Sequence, residues 1–356
     1  MPESASPPKN VLVVRLSALG DVLFALPALR RLREALPEAR LTFLVEDRCA
    51  DILEGHPDVD EIVVFRRKRI ARLDFLEAVR LVRSLRTRRF DAALDLQGNL
   101  KSGVLTRLSG ARVRVGFAPP ASKEGNRFFS NRRVTIPPGL RWRPEKDLSL
   151  LRGLGIEPGP VRACPPRFGP DEDAFAAAAV AAIPGVEGPL VVLHPGTSGF
   201  GAFKRWPPER FAALAGALAA RAGARVLVTH GPGERPLADA VAAAAPKGSA
   251  AVSPETRSLR ALAAILSRAD LVVAADTGPL HVAAALGRPV IALFGPKDPE
   301  IYRPLGERTL VARRTDVACS PCRLRYCPRP DCMETLAPDD VIPLALDLLR
   351  AGVSGS

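Results

Sequence analysis

The chain has 356 residues, 47% hydrophobic and 25% charged, which excludes a disordered or collagen-like protein and predicts two globular domains. No apolar run approaches the ~18 residues that span a bilayer, and the polar, Pro-rich start, 1–10, holds no signal-peptide core, so the expectation is a cytoplasmic protein whose membrane contact is peripheral. The formal net charge is +13, and the segment 66–146 alone carries 21 Lys and Arg against 6 Asp and Glu. Such a concentration attracts polyanions: nucleic acid, anionic lipid or a phosphorylated substrate. A solvated Arg-rich face is the bland alternative, since only 8 of the 51 basic residues are Lys.

The first half alternates strand-like and helix-like runs. Strands are predicted at 11–16, 41–45, 62–65 and 92–96, and helices at 21–35 and 73–88. In the second helix Phe75, Leu76, Val79, Val82 and Leu85 are spaced for one apolar face. Pro and Gly then accumulate over 154–170, as in a linker. Beyond it come an Ala-rich helix (171–182) and a second alternating series. Its strands are 190–194, 225–229, 271–275 and 290–294, its helices lie near 208–221, 259–267 and 280–286, and a last helix covers 338–349. The pattern predicts two α/β halves with doubly wound parallel sheets, domain boundaries at 1–165 and 166–356, and ligands at the carboxyl ends of the strands. The terminal helix could pack back on the first domain.

Four motifs carry chemistry. In Val14-Arg15-Leu16-Ser17-Ala18-Leu19-Gly20-Asp21 a strand ends, a turn follows and an acid opens a helix. Asp21 is either a helix-start acid that complements the dipole or a general base toward a hydroxyl. In His194-Pro195-Gly196-Thr197-Ser198, followed by Lys204-Arg205-Trp206-Pro207, N–H groups, hydroxyls and a cation can hold phosphate oxygens; an ordinary loop with surface bases is the alternative. In Ala275-Asp276-Thr277-Gly278-Pro279-Leu280-His281 a helix N-terminus offers an anion site, with His281 one turn inside. The absence of a Walker motif and of G-x-G-x-x-G after the first strand argues against a P-loop NTPase or a simple dehydrogenase. Finally, Cys319, Cys322, Cys327 and Cys332 lie within 14 residues. A structural zinc or iron–sulfur site, disulfides and free thiols all fit that spacing, although a cytoplasmic setting disfavours disulfides. Isolated Cys49 and Cys164 read as buried small hydrophobes.

Together the motifs resemble glycosyltransferase family 9, the ADP-heptose:lipopolysaccharide heptosyltransferases, and most nearly the branch that adds the first heptose. The matching pieces are VRLSALGDVLFALPAL (14–29), DLQGNLKSG (95–103), HPGTS with KRWP (194–207), ADTGPLHVAAALGRPVIALFGPKDP (275–299) and the Cys-rich segment 319–333. The resemblance implies a GT-B fold, two Rossmann-like domains facing a cleft, the first binding the acceptor and the second the nucleotide sugar. It implies inverting transfer without a required metal or other cofactor, from ADP-heptose or a similar nucleotide sugar to the Kdo region of nascent lipopolysaccharide, an anionic glycolipid at the inner membrane surface. It makes Asp21 the general base, with Ser17 and Gly20 beside it on the acceptor side, and Lys204 the cation that neutralises the leaving diphosphate. Thr197, Ser198, Asp276, Thr277, Gly278 and His281 become donor-binding residues, and Glu234 lies near the nucleotide ribose. Arg66, Arg67, Lys68, Arg69 and Arg127 become candidates for the acceptor's phosphates and carboxylates.

Three rivals compete. One is a family relative with another sugar or acceptor. The second is a nucleic-acid-binding protein with a Cys-bound metal, disfavoured because aromatics make up only 5% of the chain and no RNA- or DNA-binding signature appears. The third is a non-catalytic relative, against which the presence of Asp21 and Lys204 speaks.

Overall fold

The computed structural model describes residues 6–67, 69, 74–183, 187–322, 324 and 326–353. They fall into two compact units divided between Cys164 and Pro165.

The first unit runs β1 (Asn10–Val14), α1 (Leu19–Ala35), β2 (Arg40–Glu46), β3 (Glu61–Phe65), α2 (Phe75–Thr87), β4 (Ala92–Asp95), α3 (Leu100–Leu108), β5 (Val113–Phe117), β6 (Arg132–Val134) and α4 (Arg143–Ser149). Its six strands form one parallel sheet in the order β3-β2-β1-β4-β5-β6. The central strand β1 is apolar because both faces are covered, and Val11, Leu12, Val13 and Val14 are all buried. Leu12, Val14, Leu44, Val63, Leu81, Leu85 and Ala93 belong to one core cluster.

The second unit runs α5 (Pro170–Ala181), β7 (Leu190–His194), α6 (Pro208–Ala222), β8 (Arg225–Val228), α7 (Arg235–Ala244), β9 (Ala251–Val252), α8 (Leu259–Ser267), β10 (Leu271–Ala275), α9 (Gly278–Ala285), β11 (Val290–Leu293), α10 (Pro299–Tyr302), β12 (Thr309–Ala312), α11 (Asp331–Glu334) and α12 (Pro338–Val353). Its parallel sheet has the order β12-β11-β10-β7-β8-β9. Renumbered within the unit and read from the other edge, this is again 3-2-1-4-5-6, the doubly wound order of dinucleotide-binding sheets. Both units are therefore Rossmann-like, as the alternating pattern predicts. The helix α12 lays Val341, Ile342, Ala345, Leu346 and Leu349 onto the second core.

One predicted face is wrong. In α2 the core takes Glu77, Leu81 and Leu85, while Phe75, Leu76 and Val79 are exposed. Apolar residues stand on both sides of this helix, so spacing alone does not choose the buried one. Glu77 tolerates burial because Arg66 and Arg69 pair with it.

Candidate active site

In the first unit the chain leaves β1 at Val14 and enters α1 at Leu19. The turn is held from β4's side: Gln97 Oε1 accepts from Leu16 N at 3.1 Å and Ser17 N at 3.4 Å. Gly20 and Asp21 lie in the first turn of α1. The Asp21 carboxylate accepts from Ala18 N at 3.3 Å, the returning half of a capping box; alanine at 18 has no oxygen to supply the other half. Its other oxygen accepts from Arg15 Nη2 at 3.2 Å. The Asp21 side chain remains 32% exposed.

Arg15 is fully buried, which costs heavily unless its nitrogens find acceptors. All three do: Nη1 donates to Leu96 O, Nε to Asp21 O at 3.1 Å, and Nη2 to Asp21 Oδ1 and to Asp147 Oδ2, each at 3.2 Å. Asp147, on α4, is also fully buried; burial pushes its carboxyl up to about 6 against the pull of Arg15 and Arg143. Arg143 Nε lies 3.4 Å from Asp147 Oδ1 and 4.0 Å from Asp21 Oδ1. Burial and the neighbouring Arg143 lower the Arg15 guanidinium, while Asp147, Asp21 and Asp95 oppose that shift. Nothing in the sequence singles out Arg15 or Asp147, because arginine and aspartate are seldom fully buried and a pairing 132 residues apart leaves no local trace.

Among the described residues, the arginines expected on the acceptor side are not gathered into one group. Arg66 and Arg69 each bind Glu77, at 3.0 and 3.5 Å. Arg67 is exposed, and Lys68 lies outside the described residues. The guanidinium of Arg127 stacks over the exposed Phe128 ring, 4.7 Å from its centroid.

In the second unit the predicted donor residues lie in the loop after β7, in the loop after β10 with the start of α9, and, for Glu234, between β8 and α7. Lys204 Nζ donates to Asp276 Oδ2 at 2.8 Å and to Asp276 O at 3.0 Å, and the Asp276 carboxylate also meets His281 Nε2 at 3.3 Å. Burial would raise the Asp276 carboxyl, but His281 and Lys204 outweigh it and hold it at about 2. Thr277 caps α9, whose first turn contains Gly278; its hydroxyl oxygen is buried and makes no hydrogen bond. That hydroxyl and the helix N-terminus together present unused hydrogen-bonding capacity.

A second group borders the first. Arg205, the neighbour of Lys204, donates from Nε to Thr197 Oγ1 at 3.1 Å and from Nη2 to Thr197 O at 2.9 Å, and comes within 4.0 Å of Glu234. Glu234 Oε2 accepts from Gly231 N at 3.0 Å. Gly196 leaves room for this carboxylate, since a Cβ at 196 would stand 2.0 Å from Glu234 Oε2 and displace it. His194 lies 3.8 Å from the same oxygen, but burial, with His230 adding to it, pushes the imidazole down to about 4, so His194 is neutral near pH 7 and this approach is no ion pair. Ser198 is exposed at the start of the 199–204 turn. Thus Lys204, Asp276 and His281 form one cluster, Thr197 and Glu234 meet through Arg205, and Ser198 carries no side-chain cap bond.

All six cysteines are free thiols. Cys319 is exposed, Cys322 and Cys327 are half-buried, and Cys332 is buried, its thiol pushed up to about 11 by burial and then by Cys319, Cys322 and Cys327. Among the described residues no three His, Cys, Asp or Glu side chains form a group able to hold a metal ion.

The solved structure of a glycosyl transferase family 9 protein from Veillonella parvula shares this fold, at 22% identity and a TM-score of 0.79, covering 96% of this chain and 97% of that one. E. coli heptosyltransferase WaaC with ADP aligns at 28% identity and TM-score 0.74, over 95% of this chain and 99% of that one; WaaC with ADP-2-deoxy-2-fluoro heptose aligns equally well. Lipopolysaccharide heptosyltransferase 1 of Pseudomonas aeruginosa is 32% identical over 325 residues, 89% of this chain and 87% of that protein. The sequence model for glycosyltransferase family 9 (heptosyltransferase) matches residues 78–332. The resemblance seen in the motifs extends over the length of both units, and the chain belongs to glycosyltransferase family 9.

Proposed function

We propose that this glycosyltransferase moves heptose from ADP-heptose to the Kdo-bearing inner core of nascent lipopolysaccharide, with inversion at the anomeric carbon and without a metal ion. The observation that carries the reading is Lys204 fixed on Asp276 beside the N-terminus of α9, with the unpartnered Thr277 hydroxyl in the same loop. The relatives point the same way: WaaC has been solved with ADP and with a fluorinated ADP-heptose, and the P. aeruginosa protein is a lipopolysaccharide heptosyltransferase.

The acceptor hydroxyl attacks the anomeric carbon while Asp21 takes its proton. The bond from that carbon to the diphosphate oxygen breaks, and ADP departs carrying the bonding pair. Negative charge therefore grows on the diphosphate in the transition state. Lys204, the amides at the start of α9, and the hydroxyls of Thr197, Ser198 and Thr277 stabilise that charge more than they stabilise the bound donor. These fixed donors and the lysine do the work a divalent cation does elsewhere. Gly278 lets the diphosphate approach the helix backbone, His281 fixes Asp276, and Glu234 is placed for the ribose hydroxyls. On the acceptor side, Ser17 and Gly20 line the approach to Asp21, and Arg67 and Arg127 meet anionic groups of the glycolipid. Arg66 and Arg69 take part through their free donors, and Lys68 falls outside the described residues.

No helix among the described residues is long and apolar enough to cross a membrane. Peripheral attachment to the cytoplasmic face of the inner membrane suits α2, which exposes Phe75, Leu76 and Val79 alongside Arg80, Arg83 and Arg86, the composition of an interfacial helix.

The test is acceptor-dependent release of ADP from ADP-heptose with a Kdo-bearing lipid A, in EDTA, against a panel of other nucleotide sugars. Release that survives EDTA, with ADP-heptose preferred, is the expected result. Preference for another nucleotide sugar would replace the donor assignment, and loss of turnover in EDTA would overturn the metal-free mechanism.

A further inference from the structure

The first unit holds a buried ion pair that neither packing nor the proposed chemistry accounts for. Two buried charges, Arg15 and Asp147, are brought together from opposite ends of that unit, and the pair ends on Asp21. The guanidinium is shared, with Nη2 standing 3.2 Å from Asp21 Oδ1 and 3.2 Å from Asp147 Oδ2. Arg143 completes the arrangement at 3.4 Å from Asp147 and 4.0 Å from Asp21, and donates from Nη2 to Leu96 O at 3.1 Å, the carbonyl that also receives Arg15 Nη1. Two cations thus face two carboxylates, one of them sealed from solvent and the other 32% exposed.

We propose that Asp147 is a positioning residue for the transfer step: it claims one side of the Arg15 guanidinium, so that Arg15 orients the Asp21 carboxylate without committing its whole charge to it, and Asp21 stays competent to accept a proton.

The inference rests on the reading of Asp21 as the general base. A buried guanidinium paired with Asp21 alone would hold that carboxylate strongly in its ionised form and make it a poor base, because an opposite charge within about 4–6 Å favours the charged state. A second carboxylate on the same guanidinium divides that pull. The geometry also fixes orientation. Arg15 holds Asp21 through both Oδ1 and the backbone carbonyl, Leu96 O anchors the far end of Arg15, and α4 packs against α1, which keeps Asp147 in place. The charged groups acting on Asp147 are Arg15, Arg143, Asp21 and Lys146; those acting on Arg15 include Asp95 as well. Asp95 is already occupied, accepting from Gln97 N, Gly98 N, Ser102 Oγ and Asn126 Nδ2, so it does not compete with Asp147 for the guanidinium.

Asp147 carries its charge only above about pH 6, so the pH profile reports on it there. Asp147→Asn removes an anion of nearly the same shape and leaves Arg15 to Asp21: kcat above pH 6 should fall several-fold and the step in the kcat profile near pH 6 should disappear, while the KM for the nucleotide sugar stays unchanged. Arg143→Gln removes a cation from both carboxylates and should move that step up by roughly one pH unit. Because Arg143 is 19% exposed, this variant keeps the test open if Asp147→Asn fails to fold. Asp21→Asn is measured alongside on the full chain, with release of ADP as the readout. If Asp21→Asn retains turnover, the base reading fails and the inference falls with it. If Asp21→Asn is inactive while the other two variants keep the wild-type step near pH 6, at full or reduced amplitude, Asp147 is only structural and the inference alone is overturned.

Discussion

Asp21 and Asp276 are both acids at a β–α junction, Asp21 in the first turn of α1 after β1 and Asp276 directly between β10 and α9, yet their partners differ. Asp276 is held by a lysine ammonium and an imidazole, with its carboxyl at about 2 and its side chain 13% exposed. It is an anchor for Lys204 and cannot accept a proton at neutral pH. Asp21 shares one buried guanidinium with a second carboxylate and keeps about a third of its side chain in solvent. A place at a β–α junction therefore does not fix an acid's role; the groups brought in from elsewhere in the chain do.

The comparison can be broken most severely at Asp21. If it is the base, Asp21→Asn should lower kcat by about 10²–10⁴, with ADP binding, followed by calorimetry, left within roughly twofold of wild type. A similar loss of ADP binding would erase the distinction between the two acids. Lys204→Ala comes next: removing one fixed donor from the developing charge should lower kcat by about 10²–10³ and weaken ADP binding as well. Wild-type kinetics would take Lys204 out of the site. The smallest effect is on stability. The Asp276 carboxyl is depressed in the fold from its ordinary 3.8 to about 2, so its contribution is fully present above pH ~4 and disappears as the pH falls through about 2. Asp276→Asn should therefore show a smaller drop in melting temperature than wild type between pH 4 and 2. Parallel curves would mean that Asp276 gains nothing from its partners.

The two halves, their parallel sheets and most of the second unit were legible because buried parallel strands are short continuous apolar runs, whereas the order of the strands was not. The predicted bounds 190–194, 259–267 and 271–275 coincide with β7, α8 and β10. Elements that lack this signature were not. The helix α3 buries Ser102 and Thr106, α4 buries Asp147, and β6 is three residues long with both arginines exposed. At the site, residues adjacent in sequence to a strand end were visible as motifs. Arg205 and Gln97 were visible only as a basic neighbour and as part of a polar loop, because their roles depend on contacts with Thr197 and with the turn before α1. The Arg15–Asp147 pair illustrates the general limit: long-range electrostatic partners leave no periodicity to read.

Trp206, two residues beyond Lys204, is fully buried and donates from Nε1 to Leu336 O at 2.8 Å, and Arg210 donates to the same carbonyl. The turn carrying Lys204 is therefore pinned from behind by the segment leading into α12. This sets an order of assembly on the ribosome. The last strand of the first unit ends at Val134 and its last helix at Ser149, so that sheet can close while the remainder is still being synthesised. The second unit has no such freedom. Its core draws on Val341, Ile342, Ala345, Leu346 and Leu349, and its lysine turn waits for Leu336. The second unit is thus finished only after residue 349 has been added, and a nascent chain stalled before residue 336 would have a folded first unit beside an unfinished second.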